Sequence, residues 1–286
     1  MKKNPLVSVV VCTIGAREIK NCIDSVLSSS YRNFELIVVD DGAKISLKPE
    51  GFVIVRQKHK GLTASRNTGI KNSKGKIIAF LDDDTKVEKN WIQEIVSSFE
   101  SDKIGGVSGK SIEYFEDHTS ENSLWTCNNY GLIKVNPKKM EKNDFIVVHG
   151  CNMAFSRKAL EEVNFFDEKF DYFYDEIDLA LRVSRKGFEI KVNPKAVVYH
   201  FIKSNARFGN KFEFGRFKYF FALRNFNSLF FFPLLVLNDL PFLFDDIRNS
   251  FKFFLKKKIS FSFFFKEVYF IFGGRISGIK KFLLDK

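Results

Sequence analysis

Three short runs of β-branched and apolar residues constrain the fold of this chain more than any other feature. They occupy residues 6–12, 34–39 and 77–81, and they alternate with segments that carry apolar residues at helical spacing, such as 19–27 and 91–99. Strands that are apolar on both faces and are joined by helices form parallel sheets covered by helices. The order therefore predicts an α/β fold with a mostly parallel central sheet.

The third run ends directly in Asp82-Asp83-Asp84. Three adjacent carboxylates repel one another, which costs stability unless a cation or strong hydrogen-bond donors compensate. Mg²⁺ and Mn²⁺ prefer hard oxygen ligands of this kind and share their coordination with substrate phosphates. The triplet therefore points to a metal site, and the alternative is a solvated acidic turn that caps the next helix.

A second acidic strand end, Asp40-Asp41-Gly42, follows the run 34–39. Because the carboxyl ends of parallel strands lie along one edge of a sheet, we expect both acidic groups to line one crevice. One group could hold a metal while the other accepts hydrogen bonds from a sugar hydroxyl or a base N–H. Taken alone, the Asp-Gly pair is more typical of a turn.

A third acidic group, Asp175 and Glu176, begins a predicted helix, and the aromatic stretch 170–174 precedes it. A carboxylate in an aromatic-lined cleft can have a raised pKa, which suits a general base. Asp178 and Arg182 lie four residues apart on the same helix and are explained by an ordinary structural pair.

His200 ends the last strand predicted before the composition changes. It could reach the same crevice and supply a neutral imidazole to the metal, and a structural histidine is the alternative. The pattern of strands and helices loosens between residues 104 and 148. We expect the polar stretch 113–129 to be part of a long functional loop region.

The composition changes sharply near residue 203, where we predict a domain boundary. Residues 203–286 hold 22 of the 35 Phe and 16 Lys and Arg against 6 Asp and Glu, whereas the residues before them are nearly neutral. Blocks of Phe beside Lys, such as 251–258 and 261–266, suit the surface of an anionic membrane. We therefore predict a domain over residues 1–202 and a basic helical tail over 203–286 that attaches to a membrane surface. The alternative is a helical subdomain that packs its Phe on the body.

Two further features bear on location. The four cysteines include no CxxC pair, which favours a reducing compartment. A membrane-spanning helix is disfavoured because no uncharged apolar run reaches about 18 residues. We expect a cytoplasmic protein that lies peripherally on the cytoplasmic face of a membrane.

Five motifs are similar to those of one known family. They are Val7-Ser-Val-Val-Val-Cys-Thr13, Phe34-Glu-Leu-Ile-Val-Val-Asp-Asp-Gly42, Gly61-Leu-Thr-Ala-Ser-Arg-Asn-Thr-Gly-Ile70, Phe80-Leu-Asp-Asp-Asp84 and Gly150-Cys-Asn-Met-Ala-Phe-Ser-Arg157. With them, the chain from about residue 5 to 201 resembles the inverting family 2 glycosyltransferases of the GT-A fold. In that family a Pro usually stands at the position of Cys12 and a Ser at that of Ala43.

The resemblance implies a nucleotide-diphospho-sugar transferase fold and a nucleotide-sugar partner. Carried over by position, it implies that Thr13 and Asp41 contact the nucleotide base. It also implies that Asp82 or Asp83 lies near the ribose.

For the chemistry, the resemblance implies that Asp84 holds Mn²⁺ or Mg²⁺ on the diphosphate. His200 falls where many relatives carry a His near the metal. The family's acidic pair is usually Glu-Asp with the second residue as base, whereas this chain has Asp175-Glu176. By position Glu176 is the base, and Asp175 is its competitor.

The tail also resembles a subset of the family in which such segments lie on the membrane. The matching segments are Phe221-Ala-Leu-Arg-Asn225 and Phe272-Gly-Gly-Arg-Ile-Ser-Gly278.

Together these features predict a metal-dependent inverting glycosyltransferase that acts on a hydroxyl acceptor, either a lipid-linked glycan or a surface polysaccharide. A competing hypothesis is a nucleic-acid-binding protein that uses the basic aromatic tail. It leaves the carboxylates of the body unexplained, so we expect no nucleic-acid partner. A glycoside hydrolase, which also pairs carboxylates, and a transferase with a lipid-phosphate sugar donor are two more hypotheses for the same residues.

Overall fold

The computed structural model describes residues 4–16, 18–202, 211–226, 232–255 and 261–285. The strands in chain order are β1 (Val7–Thr13), β2 (Phe34–Asp41), β3 (Val53–Gln57), β4 (Ile77–Asp82), β5 (Thr85–Val87), β6 (Ile104–Tyr114), β7 (Thr119–Asn122), β8 (Trp125–Asn128), β9 (Ile133–Val135), β10 (Asp144–Val147), β11 (Asn152–Ser156) and β12 (Glu189–Phe201). The helices are α1 (Ile19–Leu27), α2 (Leu62–Lys71), α3 (Trp91–Ser98), α4 (Arg157–Glu162), α5 (Asp175–Arg185), α6 (Lys211–Asn225), α7 (Phe232–Leu255) and α8 (Phe261–Leu284).

The main sheet has the strand order β3-β2-β1-β4-β11-β6-β12-β5, with β7 paired to β6. The four strands from β3 to β4 are parallel, as the three apolar runs predict. Beyond them the directions are mixed, because β11 runs antiparallel to both β4 and β6 while β12 runs parallel to β6. The α/β fold is confirmed, and its parallel part carries the acidic strand ends.

Helices cover both faces of the parallel strands, which explains why these strands are apolar throughout. Val9 and Val11 belong to the core cluster that includes the buried side chains of α1 and α3. Val10 alternates to the other face and meets α2 at Gly69, where an added Cβ would lie only 2.3 Å from a Val10 methyl carbon. A glycine is therefore required for α2 to lie this close to β1.

The long loop region expected between residues 104 and 148 is instead built largely of strands. β6 extends to Tyr114 and turns back to pair with β7, and β8, β9 and β10 form a separate three-stranded sheet. β7, β8, β9 and β10 have only three or four residues each, which is too few to show the period-two apolar pattern from which strands are predicted.

The chain divides into two compact units. One contains residues 1–126, 134–141 and 145–203, and the other contains 127–133, 142–144 and 204–286. The boundary predicted near residue 203 lies outside the described residues, as do residues 256–258 of the first Phe-rich block. The structure likewise describes no side chains for 261–265, in the second block.

The second unit contains α6, α7 and α8, so the predicted helical tail is confirmed as helical. Gly274 and Gly278 of α8 lie against the backbone of α6, where added Cβ atoms would come 2.0 and 2.2 Å from the carbonyl oxygens of Phe212 and Arg216. Small residues four apart allow such close approach of two helices. Among the described residues, no helix combines the length and the apolar character needed to cross a membrane.

Three charged side chains are buried together in this unit. Asp239 of α7 accepts hydrogen bonds from Lys218 of α6 and from Nε of Arg275 of α8, the latter at 2.5 Å. Tyr219 adds a third donor at 3.2 Å. Since a buried carboxylate needs such partners, the cluster ties side chains of α6 and α8 to Asp239 of α7.

Candidate functional site

The pairing of β5 with β12 brings His200 to the acidic end of β4. Thr85 lies opposite His200 in this antiparallel pair, and the amide of Phe201 donates to the carbonyl of Asp84. Nε2 of His200 therefore lies 3.1 Å from Oδ1 of Asp84 and 4.0 Å from Oδ2 of Asp82. One ligand atom of each of the three side chains lies within 4.8 Å of the other two.

Two carboxylate oxygens and an imidazole nitrogen form a donor set that fits Mn²⁺ or Mg²⁺. Three protein ligands leave coordination positions for phosphate oxygens and water. Burial lowers the pKa of His200, but the neighbouring Cys151 and Asp84 groups outweigh it and raise the pKa above its usual value. A cation bound here would compete with a proton for the His200 imidazole.

Thr13 and Asp83 lie together at the ends of the neighbouring strands β1 and β4. The Thr13 hydroxyl donates to Oδ2 of Asp83 at 2.5 Å and accepts from the amide of Gly15 at 2.9 Å. Burial raises the pKa of Asp83 to about 6, against the lowering effect of the Thr13 hydrogen bond. The two residues predicted to contact the base and the ribose are therefore direct neighbours.

Asp41 is buried and accepts hydrogen bonds from the loop that leads into α2. Gln57 Nε2 and the Lys60 amide donate to Oδ1, while the Gly61 amide and His59 Nδ1 approach Oδ2. Burial alone would raise the pKa of Asp41, but these hydrogen bonds lower it below its usual value. Asp41 therefore holds the start of α2, and His59, with 71% of its side chain exposed, is the donor most open to replacement by a ligand.

The preceding Asp40 has a structural environment. Its carboxylate accepts from the amides of Ala43, Lys44 and Ile45 and from Arg56. The turn predicted for the Asp-Gly pair is thus present, and Asp40 stabilises it.

Arg66 of α2 links Asp82, at the acidic end of β4, to the acidic start of α5. Its Nη1 donates to Oδ2 of Asp175, and its Nη2 lies 3.3 Å from the carbonyl of Gly150 and 3.6 Å from Oδ1 of Asp82. The Arg66 side chain is 4% exposed and that of Asp175 is fully buried. The acidic end of β4 and the acidic start of α5 therefore meet around one guanidinium.

Glu176 is the less enclosed member of the acidic pair. An added Cβ at Gly150 would lie 3.1 Å from Nη2 of Arg66 and 3.8 Å from the Glu176 carboxylate, so glycine leaves the space between them open. Burial and the neighbouring Asp175 carboxylate raise the pKa of Glu176 well above its usual value, although Arg66 lowers it. A carboxylate with a raised pKa can accept a proton during catalysis near neutral pH.

Arg66 is a residue of the candidate site that the sequence patterns do not predict. It lies within the motif over residues 61–70, where a long charged side chain stands among residues that α2 buries. A buried Arg needs an acidic partner, and this requirement was the available signal.

The sequence also does not predict that His149 and Trp125 lie near His200 in the candidate metal site. Their rings stack with centroids 4.2 Å apart, and the ring of His149 lies 6.4 Å from that of His200. Burial and the charge of His200 lower the pKa of His149 to about 3, so it is a neutral ring beside the site.

The model of the family described as glycosyl transferase family 2 matches residues 8–164, which is more than half of the chain. The chain belongs to glycosyl transferase family 2. This membership confirms the resemblance drawn from the five motifs, and it places the chain among the glycosyltransferases.

Curated relatives of this family 2 chain carry the same general description. A glycosyltransferase of Rickettsia prowazekii is 27% identical over 222 residues, which are 70% of this chain and 67% of that protein. A glycosyltransferase of Rickettsia bellii is 28% identical over 183 residues, which are 57% of this chain but 25% of that protein. The chain therefore spans only a quarter of the length of the second relative.

Solved structures share the fold. A mannosyltransferase from Pyrobaculum calidifontis in complex with GDP-Man and Mn²⁺ is 16% identical, with a TM-score of 0.62 over all of this chain and 89% of that one. GalNAc-T7 with UDP, GalNAc and Mn²⁺ is 18% identical, with a TM-score of 0.56 over 71% of this chain and 45% of that one. At these identities the likeness confirms the GT-A fold of the family 2 chain.

Proposed function

We propose that this chain is a metal-dependent inverting glycosyltransferase that moves a sugar from a nucleotide-diphosphate donor to a hydroxyl acceptor. The contact of one guanidinium with both acidic groups carries this proposal. Arg66 touches Asp82 on the metal side and Asp175 on the base side. A donor diphosphate held by the first group and an acceptor hydroxyl beside the second would therefore meet in one site.

On the donor side, we propose that Thr13 and Asp41 contact the base and that Asp82 or Asp83 contacts the ribose. The Thr13–Asp83 hydrogen bond supports a shared nucleotide subsite. A base N–H could reach Asp41 by replacing His59, the exposed donor on Oδ2. GalNAc-T7 with UDP and the Pyrobaculum enzyme with GDP-Man are precedents for a nucleotide donor in this fold.

Asp84 and His200 would hold the metal, with Asp82 beside them. A bound Mn²⁺ or Mg²⁺ supplies positive charge to the departing diphosphate. Both neighbouring structures carry Mn²⁺, and the carboxylates of Asp82 and Asp84 suit either ion.

Glu176 would remove the proton from the acceptor hydroxyl. The hydroxyl oxygen then forms a bond to the anomeric carbon while the bond between that carbon and the diphosphate oxygen breaks. Attack opposite the leaving group inverts the anomeric configuration. Holding both reactants in line lowers the entropic part of the barrier.

The thermal stability of the full chain against UDP-, GDP-, dTDP- and CDP-sugars, each with and without Mn²⁺, tests the donor site. A ligand at 100 times its Kd stabilises the folded state by about 2.7 kcal/mol. We expect a rise in Tm that needs both Mn²⁺ and one nucleotide class, and we expect Asp84→Asn to remove it. Asp102→Asn, which changes an exposed carboxylate that is not among the site residues, is the matched control and should retain the rise in Tm.

Transfer itself is measured with the donor so identified, from the release of nucleoside diphosphate and the anomeric configuration of the product. A retained configuration would contradict the inverting mechanism. If no nucleotide sugar shifts the Tm of folded protein while a lipid-phosphate sugar supports transfer, the nucleotide donor is wrong.

We further propose that the second unit attaches the enzyme to the cytoplasmic face of a membrane, where a lipid-linked glycan or a growing surface polysaccharide is the acceptor. Exposed apolar side chains at helical spacing support attachment. On α7 they are Leu237, Phe244, Phe251 and Leu255, and on α8 they are Tyr269, Phe272, Ile276 and Leu283. Exposed cations accompany these two stripes, and such faces bind anionic lipid surfaces.

Sedimentation of the full chain with phosphatidylcholine vesicles, with and without phosphatidylglycerol, tests this attachment. We expect binding that needs the anionic lipid and falls when Leu237 and Phe244 are both changed to Glu. Met140→Glu, at an exposed apolar residue of the first unit, should leave binding unchanged. Equal binding by the double variant would contradict attachment through α7.

A further inference from the structure

Arg66 is the buried cation through which the two halves of the site are connected, and its role rests on the proposed function. It projects from α2, whereas its partners come from the end of β4, the loop before β11 and the start of α5. We infer that Arg66 is a positioning residue that fixes Asp175 and Asp82 with one guanidinium and thereby leaves Glu176 as the base.

Asp175 and Glu176 are adjacent carboxyl groups that compete for the role of base. Oδ2 of Asp175 is bound by Nη1 of Arg66, and the Asp175 side chain is fully buried. Removing this carboxylate from the ion pair to accept a proton would leave a buried guanidinium without its partner. Glu176, by contrast, faces the space that Gly150 leaves open. The ion pair therefore assigns different roles to the two neighbours.

The planar shape of the Arg66 guanidinium allows it to hold several partners at once. A guanidinium has donors in a rigid planar fork, so Nη1 can bind Asp175 while Nη2 faces the Gly150 carbonyl and Asp82. An ammonium group is a single point charge and cannot hold the same three partners in the same plane. Arg66→Lys therefore keeps the charge and removes the fork.

Helix α2 is itself hydrogen-bonded to the segment that precedes α5. Asn67, the next residue, binds both the amide and the carbonyl of Phe166, and Thr63 donates to the carbonyl of Phe170. The guanidinium of Arg66 also lies 5.6 Å from the centre of the Phe166 ring. One turn of α2 therefore holds both Arg66 and the segment that leads to Asp175.

Arg182 provides a matched control on the same helix as Asp175. Its Nε donates to Asp178 at 2.6 Å, and its Nη1 donates to the carbonyls of Val163 and Phe165. It is thus another arginine that binds a carboxylate of α5 and backbone carbonyls, and its partners lie outside the metal ligands. Arg182→Lys should lower Tm and leave kcat of the folded protein within about twofold of wild type.

The test measures kcat, the Kd of the nucleotide sugar with Mn²⁺ by calorimetry, and Tm without ligands. For Arg66→Lys we expect kcat to fall by about tenfold to a hundredfold, since small displacements of a base have effects of this size, with the donor Kd within about threefold of wild type. A kcat within about twofold of wild type would overturn the positioning role. An increase in donor Kd above about tenfold with unchanged kcat would also overturn it, because Arg66 would then bind donor.

Arg66→Met keeps the inference testable if the lysine variant folds poorly. It leaves Asp175 buried without a partner, so Tm should fall, and adding Asp175→Asn should restore much of that Tm. The double variant should remain slow, because no guanidinium then joins residue 175 to Asp82. Recovery of kcat together with Tm would show that Arg66 acts only as a counter-ion to Asp175, and it would overturn the positioning role. Absence of transfer by the wild-type chain would overturn the proposed function, whereas full activity of Arg66→Lys in an active enzyme would overturn this role alone.

Discussion

Nε2 of His200 lies 3.1 Å from Oδ1 of Asp84 because β12 pairs antiparallel with β5, the three-residue strand that follows the acidic triplet. The amide of Phe201 donates to the carbonyl of Asp84 and closes this pairing at its end. Main-chain hydrogen bonds between β5 and β12 therefore hold Asp84 and His200 next to each other.

Removal of the Asp84 carboxylate should slow transfer without unfolding the first unit. We expect Asp84→Ala to lower kcat by about 10² to 10³, the usual effect of losing one charge-stabilising group. The circular dichroism spectrum should stay as in wild type, since Asp84 is half-buried and its main-chain bonds remain. If Asp84→Ala keeps a kcat near that of wild type when Mn²⁺ is below saturation, the metal role of Asp84 is contradicted.

Glu176→Gln should separate activity from stability. We expect kcat to fall by about 10² to 10⁴ because the base is lost. The raised pKa of Glu176 means that the folded state binds its proton more tightly than the unfolded state, so its contribution to stability is lost as pH rises above the ordinary value of 4.5. The variant should therefore gain Tm relative to wild type at pH 7 and show little gain near pH 4.

The pH dependence of the wild-type enzyme follows from the same group. A base must be unprotonated, so kcat/KM should fall as pH drops through the raised pKa of Glu176. Asp175→Asn should lower Tm because it removes the negative charge that pairs with the buried Arg66 guanidinium. An acid limb unchanged in Glu176→Gln would show that another group is responsible.

The buried cluster of the second unit should depend on Asp239. Asp239→Asn removes the buried carboxylate that Lys218 and Arg275 share and leaves Asp246, 3.5 Å from Nη2 of Arg275, as the nearby counter-charge; breaking such a buried pair typically costs about 3 to 5 kcal/mol. Asp245→Asn on the same helix removes an exposed pair with Arg248 and should cost less than about 1 kcal/mol. Urea unfolding measured by circular dichroism compares the two, and similar losses would contradict the cluster's role.

Gly274 and Gly273 should respond oppositely to alanine. Gly274→Ala places a Cβ 2.0 Å from the Phe212 carbonyl oxygen, so α6 and α8 must move apart at a cost of about 1 to 3 kcal/mol. Gly273→Ala meets ring atoms of Phe212 at 3.2 Å and of Tyr269 at 3.9 Å, and a small shift of the Phe212 ring leaves a gain in helix propensity of about 0.5 to 1 kcal/mol. Thermal unfolding of both variants tests the close packing, and a stabilised Gly274→Ala would refute it.

The sequence predicts the parallel half of the fold well. The apolar runs before Thr13, Asp41 and Asp82 form β1, β2 and β4, because strands buried on both faces carry a strong local signal. The helix start at Asp175 and its end near Gly187, which has a φ of +88°, are equally local and equally well predicted.

The rest depends on contacts between distant residues. β5 has three residues and no periodicity of its own, yet it aligns Asp84 with His200. The bond between Arg66 and Asp175 spans 109 positions, and no local pattern reports such a pairing. The residue types of the site were therefore predictable, whereas the guanidinium that connects them was not.

The ties from α2 to the segment before α5 end on backbone atoms. Asn67 binds the amide and carbonyl of Phe166, and Thr63 binds the carbonyl of Phe170. Every amino acid except proline offers the same amide and carbonyl, so the side chains of this segment can be exchanged while its path is kept. The exposed Tyr172 of this segment can therefore be exchanged without loss of the hydrogen bonds that tie the backbone to α2, so the surface here can vary while the frame beneath it is kept.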